Sequence, residues 1–258
     1  MIRVLQVVGK MHYGGMETLI MNVYRHIDRE KVQFDFLVHY EEPGEYDEEI
    51  RALGGKIYVM PRTVPQNYFR YKKALRAFFT EHQEYTVIHG HLQSVAFLYH
   101  QIAKETGKRF CITHAHLAGI DHDIKGRISY QTSLWAQKYT DAFFGCSMDS
   151  CKFFFKNAIK QGKPMTVINN GIETEKYQFS QEQREQVRKE LELDNHLVIG
   201  HVGRMANQKN HAFLIQIFAE IVKKRPDSIL LSIGTGPLES QIKQQVKDLK
   251  LEDHVRFL

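Results

Sequence analysis

Three short stretches of the chain carry residues that could do chemistry. KMHYGGMETLIMNVY, Lys10 to Tyr24, follows the apolar run IRVLQVVG and holds Gly14 and Gly15 ahead of Glu17. Glycines at such a junction let backbone N–H groups come close to a ligand that a Cβ would hold off. The helix N-terminus just beyond favours an anion. The second stretch is a pair of histidine motifs, HGH at His89 to His91 and HAH at His114 to His116. A histidine at a strand end can donate to a substrate hydroxyl or carbonyl. The third is GRMANQKN, with Gly203, Arg204 and Lys209, followed on the next strand by GTGPLE, with Gly234, Gly236, Pro237 and Leu238. Two fixed cations beside free amides can hold a diphosphate and stabilise it as a leaving group. Each stretch also has a plain reading: a tight turn, a histidine satisfied within a sheet edge, a solvated surface pair.

Cys111, His114 and His116 invite a metal reading, because they are close in sequence. Strand alternation weighs against it, since His114 and His116 share one face while Cys111 points to the other. No metal is expected. NNGIE, Asn169 to Glu173, predicts a turn with Gly171 in a left-handed conformation.

The elements that must position these residues alternate. Apolar runs predict strands at Ile2–Val8, Phe34–Val38, Lys56–Met60, Thr86–His89, Phe110–Thr113 and Ala142–Cys146. Helices are predicted between most of them, at Met16–Ile27, Asp47–Leu53, Tyr68–Glu81, Ser94–Glu105, Ile124–Tyr139 and Met148–Asn157. In the first, Met16, Leu19, Ile20, Val23 and Ile27 recur at helical spacing on one face. NAIKQGKP then breaks the pattern, and Pro164 suits a linker. A second series opens at Met165–Ile168. Ser180 and Gln183 predict a capping box for a helix reaching Leu191. Strand Leu197–Val202, helix His211–Lys223, strand Ile229–Ile233, helix Pro237–Leu249 and strand His254–Leu258 follow.

This alternation predicts an α/β protein with parallel sheets and right-handed crossovers. Two units in tandem are expected, residues 1–164 and 165–258, the second ending on an apolar strand with no helix after it. In open sheets of this kind ligands bind outside the carboxyl ends of the strands, where the polar residues above fall.

Composition narrows the class. The chain has 258 residues, 43% hydrophobic and 25% charged, as in soluble globular proteins. No run has transmembrane length, and Arg3 interrupts the first strand, which lacks a small-residue cleavage site. Three cysteines without a CxxC pair suit a reducing compartment. A cytoplasmic location is therefore expected. The net charge of +5 suits an anionic small ligand or membrane surface, and no nucleic-acid signature accompanies it. YFRYKKALRAFFTE, Tyr68 to Glu81, combines Phe69, Leu75, Phe78 and Phe79 with Arg70, Lys72, Lys73 and Arg76. Such a basic amphipathic helix can lie in an anionic bilayer interface, though the same pattern serves a surface helix packed on its sheet.

Taken together, GGMET, HAH, NNGIE, GRMANQKNH and GTGPL resemble glycosyltransferase family 4, in the same order over the whole chain. Within that family they look most like bacterial exopolysaccharide and capsule enzymes. The resemblance implies the GT-B fold, two Rossmann-like domains with the acceptor on the N-terminal one and a nucleotide sugar on the C-terminal one. By the same resemblance Gly15 offers its amide to the donor's β-phosphate, Gly14 lets the loop approach, and Glu17 sits near the acceptor. One of His114 and His116 contacts the transferred sugar. Asn170 belongs to the substrate site at the domain junction, Arg204 and Lys209 clamp the diphosphate beside Gly203, and Gly234, Gly236, Pro237 and Leu238 border the nucleoside.

The implied reaction is retaining, metal-independent transfer from a UDP-sugar to a lipid-linked glycan at the inner membrane face, without a cofactor. Family members carry an E-x7-E motif that no residue between Val255 and Leu258 supplies. The chain thus resembles a member cut short, with an incomplete second domain and weak or no activity expected. Three rival readings differ in kind. A nicotinamide oxidoreductase would want GxGxxG after the first strand, which VGKMHYGGMET lacks. A non-catalytic nucleotide- or partner-binding remnant would bind UDP weakly or not at all. A nucleotide-sugar epimerase of the same architecture would release a free epimerised sugar nucleotide.

Overall fold

The computed structural model describes residues 1–258 apart from Thr63, Asp121 and His122 and the side chain of Pro65. The chain divides into two compact units, Met1–Thr174 and Glu175–Leu258. The first is built on a sheet of seven parallel strands in the order β3-β2-β1-β4-β5-β6-β7. These are β1 (Ile2–Val7), β2 (Val32–Val38), β3 (Ile57–Val59), β4 (Tyr85–Gly90), β5 (Phe110–Ala115), β6 (Ala142–Gly145) and β7 (Met165–Val167). The crossovers contain α1 (Gly15–His26), α2 (Asp47–Ala52), α3 (Tyr68–Glu81), α4 (Ala96–Glu105), α5 (Ile124–Ala136) and α6 (Met148–Lys160).

Strands buried on both faces read as continuous apolar runs, which is how this sheet announces itself in sequence. On one face Tyr71, Leu75 and Phe79 of α3 and Tyr99 and Ile102 of α4 pack with Leu5, Val7, Ile88 and Cys111. On that face too Cys151, Phe154 and Phe155 of α6 cover Ala115 and Phe143, while Ile20, Met21 and Tyr24 of α1 cover Phe34 and Phe36 on the other. Burying each such large side chain stabilises the fold by roughly 1.5–3 kcal/mol.

Several expectations change. Met165–Val167 does not open a second unit. It pairs with β6 as the last strand of the first sheet. The break at NAIKQGKP is the end of α6, with Gly162 at φ +63°, and not an interdomain linker. Lys163 Nζ donates to Gln137 O at 2.6 Å and Phe143 N–H to Pro164 O at 3.0 Å, which ties the stretch to this sheet.

On α1 the expected Leu19 and Ile20 are buried and Met16 and Ile27 pack on the same core, but the buried face is wider and leaves out Val23. Glu17, Met21 and Tyr24 are buried, and Val23 is 40% exposed beside an open groove. On α3, Leu75, Phe78 and Phe79 go to the core, so Tyr68 and Phe69 are its exposed aromatics. Gly171 does not adopt a left-handed turn. Asn22 Nδ2 donates to its carbonyl at 2.9 Å, and Glu173 lies 3.7 Å from Arg25, so two α1 side chains hold the segment extended.

The second unit has three parallel strands in the order β10-β9-β8: β8 (Leu197–Val202), β9 (Ser228–Ile233) and β10 (Val255–Phe257). Helix α7 (Gln181–Glu190) precedes them, capped by Ser180 Oγ, which accepts from the Gln183 N–H as the sequence predicts. Helices α8 (His211–Lys224) and α9 (Glu239–Asp248) form the crossovers. Ile215, Phe218, Leu230, Ile242, Val246 and Val255 form their common core. Among the described residues no helix is long and apolar enough to cross a membrane.

Candidate functional site

In the first unit β1 is flanked by β2 on one side and β4 on the other, so the strand order reverses there. That reversal opens a crevice at the carboxyl ends of β1 and β4. Gly14 caps α1 with extended backbone, and Gly15 opens the helix, whose first amides lack intrahelical acceptors. A Cβ on Gly14 would lie 2.4 Å from Glu17 Oε2, so this glycine makes room for the carboxylate. A Cβ on Gly15 would meet nothing within 4 Å. Glu17 is buried, 3.5 Å from His12. Burial pushes its carboxyl up, partly offset by its own backbone N–H and by His12.

The two histidine motifs meet. β4 and β5 are neighbours, and the i, i+2 spacing puts all four rings on one face. His91 Nδ1 and His116 Nε2 are 2.8 Å apart, and His89 Nε2 and His114 Nδ1 are 3.2 Å apart. His91 Nε2–H donates to Gln6 Oε1 at 2.8 Å, which joins β4 to β1. Burial, helped by mutual repulsion, lowers His89 to about 3 and His114 to about 2, and burial alone takes His116 to about 4. All are neutral imidazoles at pH 7. Neutral rings can donate an N–H to a sugar hydroxyl, but they are weak bases. The sequence points to His114 and His116; Gln6 and the joining of HGH to HAH become visible only once β4 and β5 are known to be adjacent.

In the second unit the GRM and GTG turns interlock. Gly203 N–H donates to Ile233 O, Met205 N–H to Thr235 O and Leu238 N–H to Met205 O, each at 3.0 Å. Gly234 has φ +125°, and a Cβ there would lie 2.6 Å from Gly203 O; one on Gly236 would lie 2.5 Å from Met205 O. Only glycine allows backbones this close. Arg204 and Lys209 are exposed at this strand-end surface, and among the described residues neither forms an ion pair. The Lys209 stem packs on Gly203. Gly203, Arg204, Lys209, Gly234, Gly236, Pro237 and Leu238 therefore lie on or next to one pair of turns. Asn170, by contrast, belongs to the first unit, where it is exposed.

Residues 13–176 match the model of Glycosyltransferase Family 4, and residues 182–258 match that of Glycosyl transferases group 1. The chain belongs to glycosyltransferase family 4. Among its relatives is the glycosyltransferase EpsF of Bacillus subtilis, 29% identical over 261 residues, covering 99% of this chain and 68% of EpsF. The crystal structure of Anabaena Alr3699/HepE in complex with UDP-glucose aligns with all of this chain and 69% of its own, with TM-score 0.79 and 19% identity. UDP-GlcNAc 2-epimerase from Neisseria meningitidis aligns with TM-score 0.64 and 14% identity, over 100% of this chain and 72% of its own. The fold is thus the α/β GT-B type, and the chain is a glycosyltransferase by family. It spans about two thirds of the length of EpsF.

Proposed function

We propose that this transferase moves a sugar from a UDP-sugar to a lipid-linked glycan acceptor in polysaccharide biosynthesis, with retention at the anomeric carbon. The carrying observation is the interlocked GRM–GTG pair, which presents two exposed cations, neither in an ion pair among the described residues, beside the carboxyl ends of β8 and β9. Arg204 and Lys209 bind the diphosphate there, and Gly234 to Leu238 border the nucleoside. In the first unit Gly15 presents its amide to phosphate, Glu17 faces the acceptor, and His114 or His116 donates to a hydroxyl of the transferred sugar.

The anomeric C–O bond breaks and its electron pair leaves with UDP. The acceptor oxygen forms the new bond on the same face, and its proton passes to the departing phosphate oxygen. Histidines lowered to about 2 and about 4 are poor proton acceptors, which favours the leaving group in that role. No metal or cofactor is assigned to this step. The UDP complexes of structural neighbours favour uridine in the donor. A capsular polysaccharide biosynthesis glycosyltransferase of Staphylococcus aureus, 37% identical over 95 residues, covering 35% of this chain and 24% of its own, favours the polysaccharide setting. The exposed side of α3, with Phe69, Arg70 and Lys73, suits peripheral contact with an anionic cytoplasmic membrane face.

Saturation-transfer NMR with UDP, GDP and a panel of UDP-hexoses tests the donor reading. Signal transfer to the uridine protons is expected and transfer to guanosine is not. Preference for GDP, or no transfer to any nucleotide, contradicts it. An epimerised free nucleotide sugar among the products would favour the epimerase reading.

A further inference from the structure

His89 projects from β4, His91 from the residue just past its end on the same side, and His114 from the matching face of β5. Each ring offers a nitrogen within 4.8 Å of the other two. Nitrogens around a tetrahedral zinc with bonds of about 2.0–2.1 Å lie about 3.3 Å apart. His89 Nε2 and His114 Nδ1 already stand 3.2 Å apart.

His91 is oriented from behind. Its Nε2–H donates to Gln6 Oε1 at 2.8 Å, which leaves the Nδ1 lone pair on the side of the other rings. A backing carbonyl of this kind is what fixes the tautomer and orientation of metal-ligating histidines. His114 is 2% exposed, and its Nδ1 faces His89. The three rings border a groove of about 250 Å³ whose other walls are mostly apolar, including Val4, Val23, Phe34 and Phe144. The groove provides an entry path and space for water as a further ligand.

We propose that His89, His91 and His114 form a binding site for a late first-row divalent cation, zinc foremost, completed by water. Imidazole sets of this size suit zinc, nickel and copper rather than magnesium or calcium. Binding replaces the His89–His114 and His91–His116 hydrogen bonds and releases His116 from its partner. The site stands on this geometry alone. One consequence rests on the sugar-transfer reading: where His114 is the ring that contacts the sugar, a bound metal withdraws it and zinc opposes transfer.

The test strips the chain with chelator and titrates it with Co2+, then Zn2+. One equivalent of Co2+ should develop the intense visible bands of a tetrahedral site, and one equivalent of Zn2+ should remove them. The double variant His89→Gln/His91→Gln should lose the bands, while His26→Gln, at an exposed histidine, should keep them. Weak octahedral bands in the wild type, or tetrahedral bands that persist in the double variant, overturn the proposal. X-ray absorption on the zinc-loaded wild type needs no substitution, so misfolding of the variant cannot obscure the answer. Three imidazole ligands are expected there; one or none overturns the site. UDP binding measured on the same samples reports separately on the nucleotide reading.

Discussion

The Gly234 Cα sits where an added Cβ would come within 2.6 Å of the Gly203 carbonyl oxygen. Those two glycines lie on different strand ends, and their contact sets the spacing of the surface that carries Arg204 and Lys209. The backbone at Gly234, φ +125°, is itself closed to other residues. Gly234→Ala therefore combines strain of roughly 1–3 kcal/mol with a pushed-apart pair of turns. Urea unfolding should show the lower stability, and UDP titration should show affinity falling by more than stability alone explains. Unchanged UDP affinity in a folded Gly234→Ala chain would dissociate the turns from nucleotide binding.

The buried histidines make a pH prediction with a definite sign. Folded-state values lie below the unfolded value near 6.5: His89 and His100 at about 3, His114 at about 2, His116 at about 4. Below pH 6.5 the unfolded chain binds protons that the folded chain refuses, so stability rises with pH through this window. It is fully present above about pH 6.5 and falls by about 1.4 kcal/mol per unit for each histidine as pH drops towards the folded values. Chemical denaturation at pH 7, 6, 5 and 4 should give a steep decline, flattened in His89→Gln/His91→Gln. A flat wild-type profile would mean that these rings are hydrated.

For α3 the expected membrane contact is modest, because Leu75, Phe78 and Phe79 are core residues and Arg76 is engaged by Glu105. Phe69 with Arg70, Lys72 and Lys73 is what remains. Sedimentation with anionic liposomes should show salt-sensitive binding that Lys72→Glu/Lys73→Glu abolishes. No binding by the wild type would remove the membrane from the account.

Much of this architecture is legible in sequence because covered parallel strands appear as largely apolar runs. Ile2–Val7, broken only by Arg3 and Gln6, and Ile229–Ile233, broken only by Ser232, are plain for that reason, and the Ser180 cap is local chemistry. Met165–Val167 is misplaced by sequence reasoning because three residues after a helix stop cannot say which sheet they join; Lys163 and Pro164 settle it through partners far along the chain. Gly171 illustrates the same limit, since Asn22 and Arg25 override its turn preference from α1. The site residues divide likewise. GRM and GTG advertise themselves by glycine, whereas the link of Gln6 to His91 spans 85 positions and depends on strand order.

The central claim is that two cations beside the carboxyl ends of β8 and β9 hold a nucleotide diphosphate. Isothermal titration of UDP and uridine into wild type, Arg204→Gln and Lys209→Gln measures it directly. Each lost charge-assisted contact should weaken UDP binding by about tenfold or more while leaving the far weaker uridine binding unchanged. Equal UDP affinities across the three chains would contradict the claim.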